Sequence, residues 1–332
     1  MAGAAPRRWS PAQAAERCGD AALTVVMPTY NEAQGLPGLA AELLALPLPG
    51  LRLLVVDDNS PDGTGEIAEE LARRHPGRVA VLHRAAKEGL GRAYVAGMTR
   101  AVAEGAEFVL QMDADGSHAV AHVPRLLGTA LMTGAGFVVG SRYVPGGRLA
   151  QEWGVHRRLL SRWANRYVGA VLRTGLRDAT AGFVLWRADV VRALRLEGVR
   201  SNGYSFQVEL KHAAVRAGHP GVEVPIHFEE RRAGASKMSA GVQFEAALLP
   251  WRLLLADLAG RRGRAGGAGT GTRAAAEAEA GTTRAESDTD AASDAGTETA
   301  AGAVARPARR AAARAERPAG SGPVAGRRTG AS

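Results

Sequence analysis

The chain has 332 residues, 46% of them hydrophobic, and a formal net charge of +9 at pH 7. This is enough for one sizeable α/β domain with a full core, and the positive charge suits anionic partners without singling out nucleic acid. No stretch reaches the roughly 18 to 20 apolar residues that cross a bilayer, and no apolar signal region opens the chain, so we expect neither a membrane span nor export. The single cysteine, Cys18, excludes an internal disulfide framework and fits a reducing cytoplasm.

The two ends of the chain differ in composition from the middle. Residues 1–20 are rich in Ala, Pro and Arg and predict a flexible extension. Residues 261–332 contain no Leu, Ile, Met or aromatic residue, and only Val304 and Val324 are larger apolar side chains. Such a segment buries too little apolar surface to offset its ordering entropy, so we expect a disordered tail. The folded domain is therefore expected over residues 21–260.

Apolar, β-branched runs alternate with helix-period segments through the first half of this domain. Strands are predicted at Leu23–Pro28, Leu51–Asp58, Arg78–Arg84, Phe108–Asp115 and Phe137–Tyr143, with helices near 36–46, 64–75, 89–104 and 120–133. Further on, the sequence predicts a helix at 155–172, the loop DATAGF, a short strand, a helix near 205–217 and a strand from Val222 to Glu230. Strands that are apolar on both faces indicate a Rossmann-like, mostly parallel sheet with helices on both faces.

Polar clusters follow four of the predicted strands. PTYNE follows the first, DDNSPDG the second, DADGSH the fourth and GSRY the fifth. Open α/β sheets bind ligands beyond the carboxyl ends of their strands. We therefore expect a ligand site at that edge of the sheet.

Two pairs of carboxylates stand in these clusters. Asp113 and Asp115 end a buried strand, and hard oxygen ligands of this kind suit Mg²⁺ or Mn²⁺, which takes further ligands from a substrate diphosphate. A pair of solvated loop carboxylates is the alternative, but two charges near a buried strand need a partner. Asp57 and Asp58 end the second strand, where one carboxylate either holds the following turn or contacts a nucleotide ribose or base.

The motifs together resemble one enzyme family. PTYNE, VVDDNSPDGT, KEGLGRAYVAGM, MDADGSH, GSRY, WGVHRRLLSRWAN, DATAGF, GYSFQVEL and a late R-x5-SK arrangement resemble the polyprenol/dolichol-phosphate mannosyltransferases of glycosyltransferase family 2. The resemblance spans Leu23 to Leu258, nearly the whole foldable chain, and implies a GT-A fold. It also implies binding roles for particular residues. Around the nucleoside these are Pro28, Tyr30, Glu32, Val56 and Asp58; at the diphosphate and metal, Asp113, Ala114 and Asp115; at phosphate groups, Arg142, Arg231 and Lys237.

The resemblance also implies a pocket for an acceptor phosphate at Arg142, Arg157 and Ser161, with Asp115 and Arg142 carrying the catalysis. Arg157 and Ser161 are four residues apart and so share a face of their predicted helix, although a plain amphipathic helix would look the same. Some relatives have a Gln as a further metal ligand where this chain has Ser117, whose hydroxyl or a bridging water would substitute. Lysine occurs only at positions 87, 211 and 237, so each merits notice.

The activity implied by the resemblance is inverting transfer of mannose from GDP-mannose to polyprenyl phosphate, on the cytoplasmic face of a membrane. A membrane-anchoring partner protein stays open. Residues 242–258 are strongly apolar and contain Trp251, so they either lie in a membrane interface or pack on their own domain. The alternatives are another nucleotide sugar such as UDP-glucose, another acceptor, or an Arg-rich nucleic-acid-binding or adaptor protein. The tail disfavours the last because it lacks aromatic residues and interleaves acids with its arginines.

Overall fold

We describe the protein from a computed structural model. The structure describes residues 9–150, 152–199, 201, 203–230 and 247–259. The predicted tail and the loop that contains Arg231 and Lys237 lie outside these residues.

Seven strands in the described residues form one sheet, in the order β3-β2-β1-β4-β6-β5-β7. The strands are β1 Leu23–Thr29, β2 Leu51–Asp57, β3 Val79–His83, β4 Phe108–Gln111, β5 Phe137–Ser141, β6 Val184–Arg187 and β7 Gly221–Pro225. Every neighbouring pair is parallel except that β6 runs antiparallel to both β4 and β5. The prediction of a mostly parallel sheet is confirmed.

The helices are α1 Pro11–Asp20, α2 Leu36–Leu44, α3 Thr64–Arg74, α4 Leu90–Ala103, α5 Val123–Thr133, α6 Val155–Leu172, α7 Ala188–Ala193, α8 Gly203–Arg216 and α9 over residues 247–259. Short 3-10 turns occur at Val120–His122 and Leu196–Gly198. The predicted elements of the first half are confirmed with shifted ends. The largest shift is in β4, which ends at Gln111, so Asp113 and Asp115 lie in the turn that follows the strand.

The core has two layers because successive strand residues face opposite sides of the sheet. Val25 of β1 packs with α1, α2, α3 and α5, whereas the next residue, Val26, packs with α4, α7 and α8. Helix α4 lies very close to the sheet at Gly97, where a Cβ atom would come within 2.4 Å of the Val26 side chain. A larger residue at position 97 would therefore push the helix off the sheet.

The N-terminal segment forms a helix where the sequence predicts a flexible end. Ser10 caps α1 by accepting from the Gln13 backbone N–H, and the Gln13 side chain accepts from the Ser10 N–H. This reciprocal capping favours the start of a helix whose composition is only weakly apolar. Ala14 is buried and Cys18 packs partly against the core. Over residues 9–20 the structure therefore differs from the predicted flexible extension, because the capped helix packs on the core.

Candidate active site

The polar clusters meet at the carboxyl edge of the parallel strands, as predicted. The loops after β1, β2, β4 and β5 start at this edge. Strand β6 runs the other way, so the DATAGF loop before it, residues 178–183, also lies there. After β7, an isolated bridge from Phe228 to His118 ties that segment to the turn after β4.

Asp57 holds the turn that follows β2. Its carboxylate accepts from the Thr29 hydroxyl at 3.1 Å and from the Ser60 hydroxyl at 2.6 Å, and it is 2% exposed. The same turn orients the loop after β1, because the Glu32 N–H donates to the Thr64 hydroxyl at 3.0 Å. Of the two neighbouring carboxylates, Asp57 therefore has the structural role.

The Asp58 carboxylate forms an ion pair with Arg84, to which the sequence assigned no role. Burial raises the pKa of the Asp58 carboxyl, and the nearby Arg84 guanidinium opposes that effect. Next to this pair, the Lys87 ammonium lies 3.6 Å from the centre of the Tyr30 ring, a cation–π contact. The edge at β1 and β2 thus joins an aromatic ring, a carboxylate and two cations. Of the other residues predicted here, Val56 is fully buried in the core and Pro28 is half-buried at the end of β1.

The turn after β4 carries the Asp-Ala-Asp sequence. Asp113 accepts from the Tyr94 hydroxyl at 2.7 Å. Burial, with the adjacent Asp113 charge, raises the pKa of Tyr94 well above its ordinary value, so the proton stays on the phenol. Asp115 accepts from the Ser117 backbone N–H at 3.0 Å and from its hydroxyl at 2.6 Å. The His118 ring accepts from the Asp113 N–H through Nδ1 and stacks on Phe183, which steadies the turn.

The donor set of this turn fits a magnesium or manganese ion. Asp113 and Asp115 supply hard carboxylate oxygens, and Ser117 orients one of them. Within the described residues, no group of three or more acidic, His or Cys side chains could hold a metal. Two carboxylates suit an ion that takes its other ligands from water and a substrate diphosphate. Ser117 as a third ligand stays a prediction, and the buried Ala114 adds only backbone groups.

Arg142 is held in a buried ion pair that the sequence did not indicate. Its Nε and Nη2 atoms donate to the Asp178 carboxylate at 2.8 and 2.7 Å, and Nη2 also donates to Thr180 at 2.9 Å. Asp178 is fully buried, which by itself raises the pKa of its carboxyl, but the Arg142 charge and hydrogen bonds outweigh burial and lower that pKa. The predicted phosphate ligand is therefore fixed at the edge of the sheet by the DATAGF loop.

The buried side chain of Lys211, on α8, holds the backbone of the same loop. Its ammonium donates to the Ala179 carbonyl at 2.9 Å and to the Ala181 carbonyl at 2.6 Å. Complete burial lowers the pKa of Lys211 to about 7, although the nearby Asp178 charge acts in the opposite direction. Of the three lysines, Lys87 thus lies at the site, Lys211 supports it and Lys237 lies outside the described residues.

Arg157 and Ser161 share one face of α6, as the sequence predicts. The Arg157 guanidinium lies 3.8 Å from the centre of the Trp153 ring and 3.8 Å from the Glu230 carboxylate, and its side chain is 42% exposed. The Ser161 hydroxyl accepts from the Tyr143 hydroxyl at 2.6 Å. Since Tyr143 directly follows Arg142, this bond joins α6 to the edge of the sheet.

The fold and the site define a GT-A-type glycosyltransferase, with an Asp-Ala-Asp turn and several cations at the carboxyl edge of a mostly parallel sheet. The sequence pattern of glycosyl transferase family 2 matches residues 24–195, more than half of the chain, and the chain belongs to this family.

Two relatives are similar over most of their own length. The chain is 46% identical over 215 residues to the polyprenol monophosphomannose synthase of Mycolicibacterium smegmatis. The aligned region covers 65% of this chain and 80% of that protein. It is 45% identical over 221 residues to the undecaprenyl-phosphate mannosyltransferase of Micrococcus luteus, covering 67% and 89%. A crystal structure of glucosyl-3-phosphoglycerate synthase from Mycobacterium tuberculosis, with Mn²⁺, uridine diphosphate and phosphoglyceric acid, gives a TM-score of 0.53 at 18% identity. The match covers 77% of this chain and 83% of that one and shows that the fold is shared.

Proposed function

We propose that the chain transfers mannose from GDP-mannose to polyprenyl phosphate, with inversion at the anomeric carbon. The names of the two relatives support both the mannosyl group and the lipid phosphate. The observation that carries the acceptor is the position of Arg157 and Ser161, which lie on a helix that also exposes several large apolar side chains. A cation and a hydroxyl beside an exposed apolar surface fit a molecule with a phosphate head and a hydrocarbon tail.

The donor lies along the edge in this proposal. The nucleoside lies at Pro28, Tyr30, Glu32, Val56 and Asp58, and its diphosphate lies at the Asp-Ala-Asp turn. A divalent cation held by Asp113 and Asp115 would supply neutralisation of the departing nucleoside diphosphate. The manganese in the glucosyl-3-phosphoglycerate synthase structure supports this, without distinguishing manganese from magnesium. Arg231 and Lys237 stay predicted phosphate contacts, outside the described residues.

The acceptor needs no general base. A phosphate monoester has a second pKa near ~6 and is therefore largely a dianion at neutral pH. One phosphate oxygen forms a bond to the anomeric carbon while the bond from that carbon to the diphosphate breaks, and the electron pair leaves with the diphosphate. The protein need only align the two substrates and balance their charges. In-line displacement on an α-linked donor gives β-linked mannosyl phosphate.

An exposed apolar face, formed by α6 and α9, supports a membrane-bound acceptor. Its members are Val155, Leu159, Leu160 and Trp163 on α6, and Leu248, Trp251, Leu255 and Leu258 on α9. The two helices touch, because the Tyr167 hydroxyl donates to the Ala247 carbonyl at 2.6 Å. Leu249 of α9 packs inward with α6 and α8, so α9 is apolar on two sides. Helix α9 thus packs on its domain and also exposes an apolar face, which the proposal places in the membrane interface.

The charges and shape around the apolar face also fit a lipid. Helix α6 contains four arginines and no acidic residue, which suits anionic headgroups. A cavity of about 780 Å³ lies against α6 beside Tyr143. It is lined by Tyr143, Leu159, Arg162, Trp163, Asn165, Arg166, Gly169, Leu176 and Arg177. None of the described helices is long and apolar enough to cross a bilayer. The inner membrane face and an anchoring partner stay predictions, which fractionation of cells would test.

Removing the apolar face is expected to release the protein from membranes. The double variant Leu159→Ser, Trp163→Ser should bind vesicles of phosphatidylglycerol at least about tenfold more weakly, because two large side chains no longer enter the interface. Co-sedimentation with vesicles measures this. Met132→Ser is the control, since Met132 is 40% exposed on α5, away from this face. Equal binding by the double variant would show that the face does not dock.

Arg157→Ala is expected to impair use of the acceptor rather than of the donor. Loss of a charge-assisted contact to phosphate should raise the KM for polyprenyl phosphate, or lower the rate, by about ten- to a hundredfold. Arg157→Lys should recover only part of this because it restores the charge without the two-pronged geometry. The control is Arg192→Ala, an equal charge change on α7 at the opposite edge of the sheet. Unchanged acceptor kinetics in Arg157→Ala would place the acceptor elsewhere.

A panel of substrates tests the reaction itself. The purified chain is offered GDP-mannose, UDP-glucose and UDP-N-acetylglucosamine, each with polyprenyl phosphate and with free polyprenol. We expect transfer from GDP-mannose to the phosphate and none to the alcohol, because no group in the proposal deprotonates a hydroxyl. Preference for UDP-glucose would support the alternative donor, and efficient transfer to polyprenol would contradict the lipid phosphate mechanism.

A further inference from the structure

The side-chain amide of Gln207 is buried and has no hydrogen-bonding partner within the described part of the chain. It lies on α8, is 2% exposed, and neither its Nε2 nor its Oε1 atom has a hydrogen-bonding partner among the residues that the structure describes. Buried side-chain amides are nearly always hydrogen-bonded because leaving them unpaired disfavours folding. An unpaired donor and acceptor on one side chain therefore point to a ligand that completes them.

The amide of Gln207 faces the Asp-Ala-Asp turn across Gly182. A Cβ atom on Gly182 would lie 3.8 Å from Gln207 Nε2 and 3.5 Å from Asp113 Oδ2. The other oxygen of Asp113 accepts from Tyr94, whose ring stacks on Phe206, the neighbour of Gln207. The absence of a side chain at position 182 thus leaves an amide and a carboxylate oxygen turned to one small space.

The chemistry of this space selects a neutral ligand with hydroxyl groups. A phosphate beside the Asp113 carboxylate needs a cation between them, as in the proposed diphosphate site, whereas a hydroxyl bonds to the carboxylate directly. A hydroxyl donates to the carboxylate or to the amide oxygen, and it accepts from the amide nitrogen. Adjacent hydroxyls on a hexose ring would satisfy both side chains together.

We propose that Gln207, together with Asp113, binds hydroxyl groups of the transferred sugar and sets which hexose the enzyme accepts. This rests on the proposed function, because a sugar is present only if the chain binds a nucleotide sugar. In this role Gln207 contacts substrate without transferring a proton, since an amide is neither a base nor an acid at neutral pH. Its effect is to select the sugar by hydrogen bonds that the wrong isomer leaves unmade.

The test uses Gln207→Met, which keeps the length of the side chain and removes its hydrogen bonds. We expect kcat/KM for the natural donor to fall by about ten- to a hundredfold, while the affinity for the free nucleoside diphosphate stays unchanged. The melting temperature should not fall, because an unpaired buried amide is replaced by an apolar group. Gly182→Ala should have a similar kinetic effect because its methyl group fills the space. It should not disturb the fold, since the three nearest atoms, on Asp113, Gln207 and His118, lie 3.5 to 3.8 Å from that Cβ.

Donors lacking single hydroxyls identify the contact. With the wild-type enzyme, a donor that lacks one particular sugar hydroxyl should lose about as much kcat/KM as Gln207→Met loses with the natural donor. With the Gln207→Met enzyme, the same deoxy donor should show almost no further loss of kcat/KM. The deoxy donors are derived from whichever nucleotide sugar the wild-type enzyme uses. A donor other than GDP-mannose would therefore overturn the mannose proposal, and the role of Gln207 would still be tested. Equal losses for every deoxy donor in both enzymes would overturn the role of Gln207. So would an activity loss that follows a lower melting temperature or a weaker affinity for the nucleoside diphosphate.

Discussion

Asp115→Ala is expected to lower the turnover of sugar transfer by about a hundred- to a thousandfold or more, and to leave the protein folded. The carboxylate would be one of two that hold the cation and, through it, the departing diphosphate, and losing such charge stabilisation has effects of this size. The fold is expected to survive because Asp115 lies in a turn at the edge of the sheet, where its bonds to Ser117 are local to that turn. Single-turnover kinetics and a thermal melt measure the two effects separately.

The matched control for that variant is Asp189→Ala. Asp189 is an exposed carboxylate on α7, at the far edge of the sheet, where it pairs with Arg187. We expect this control to keep wild-type turnover. Asp113→Ala should be nearly as severe as Asp115→Ala, with Tyr94 losing its acceptor as well. Near-normal turnover in either active-site variant, or full activity in excess EDTA, would contradict a metal-bridged diphosphate.

Arg142→Ala is expected to lower the free energy of unfolding by about 3 to 5 kcal/mol, because it removes the guanidinium to which the buried Asp178 carboxylate is directly bonded. The lowered pKa of Asp178 means that the carboxylate is ionised at neutral pH. The stabilisation by the pair is therefore present above the ordinary carboxyl pKa and is lost only as the pH falls through the lowered value. Urea denaturation of the full chain at pH 7 measures the change.

A second variant separates the charge from the packing. Arg142→Ala combined with Asp178→Asn should be less destabilised than Arg142→Ala alone, because the uncompensated charge is gone. A loss below about 1 kcal/mol in the single variant would show that the ion pair is not needed for folding. The predicted role of Arg142 at the phosphate cannot be tested with Ala alone. Arg142→Lys keeps a positive charge beside Asp178, so its acceptor kinetics are the better measure.

Local sequence patterns determined the architecture of this protein. Alternating apolar runs and helix-period segments predict β1 to β5 and α2 to α5, because these periods follow from the geometry of single elements. The polar clusters PTYNE, DDNSPDG, DADGSH and GSRY then mark one edge, since parallel strands end together. Most element ends are predicted closely, but two strands are clearly shorter than predicted. Strand β4 ends at Gln111, before Asp113 and Asp115, and β7 ends at Pro225 instead of Glu230.

Tertiary contacts decided what individual residues do at the site. The sequence could not distinguish Asp57 from Asp58, and only the positions of Ser60 and Arg84 make one structural and leave the other at the edge. Helix α1 is stabilised by packing on the core, which its Ala-rich composition does not indicate, whereas its Ser10–Gln13 capping pair is a local signal.

The antiparallel direction of β6 had the largest consequence for the site. It brings the DATAGF loop to the edge, where Asp178 binds Arg142 and Gly182 leaves space before Gln207. In sequence, position 207 lies 94 residues from Asp113, within a segment that reads as an ordinary helix. Ion pairs and unpaired amides depend on distances between residues that are far apart in sequence. The direction of β6 sets those distances here, and the periodicity of a single segment does not reveal strand direction.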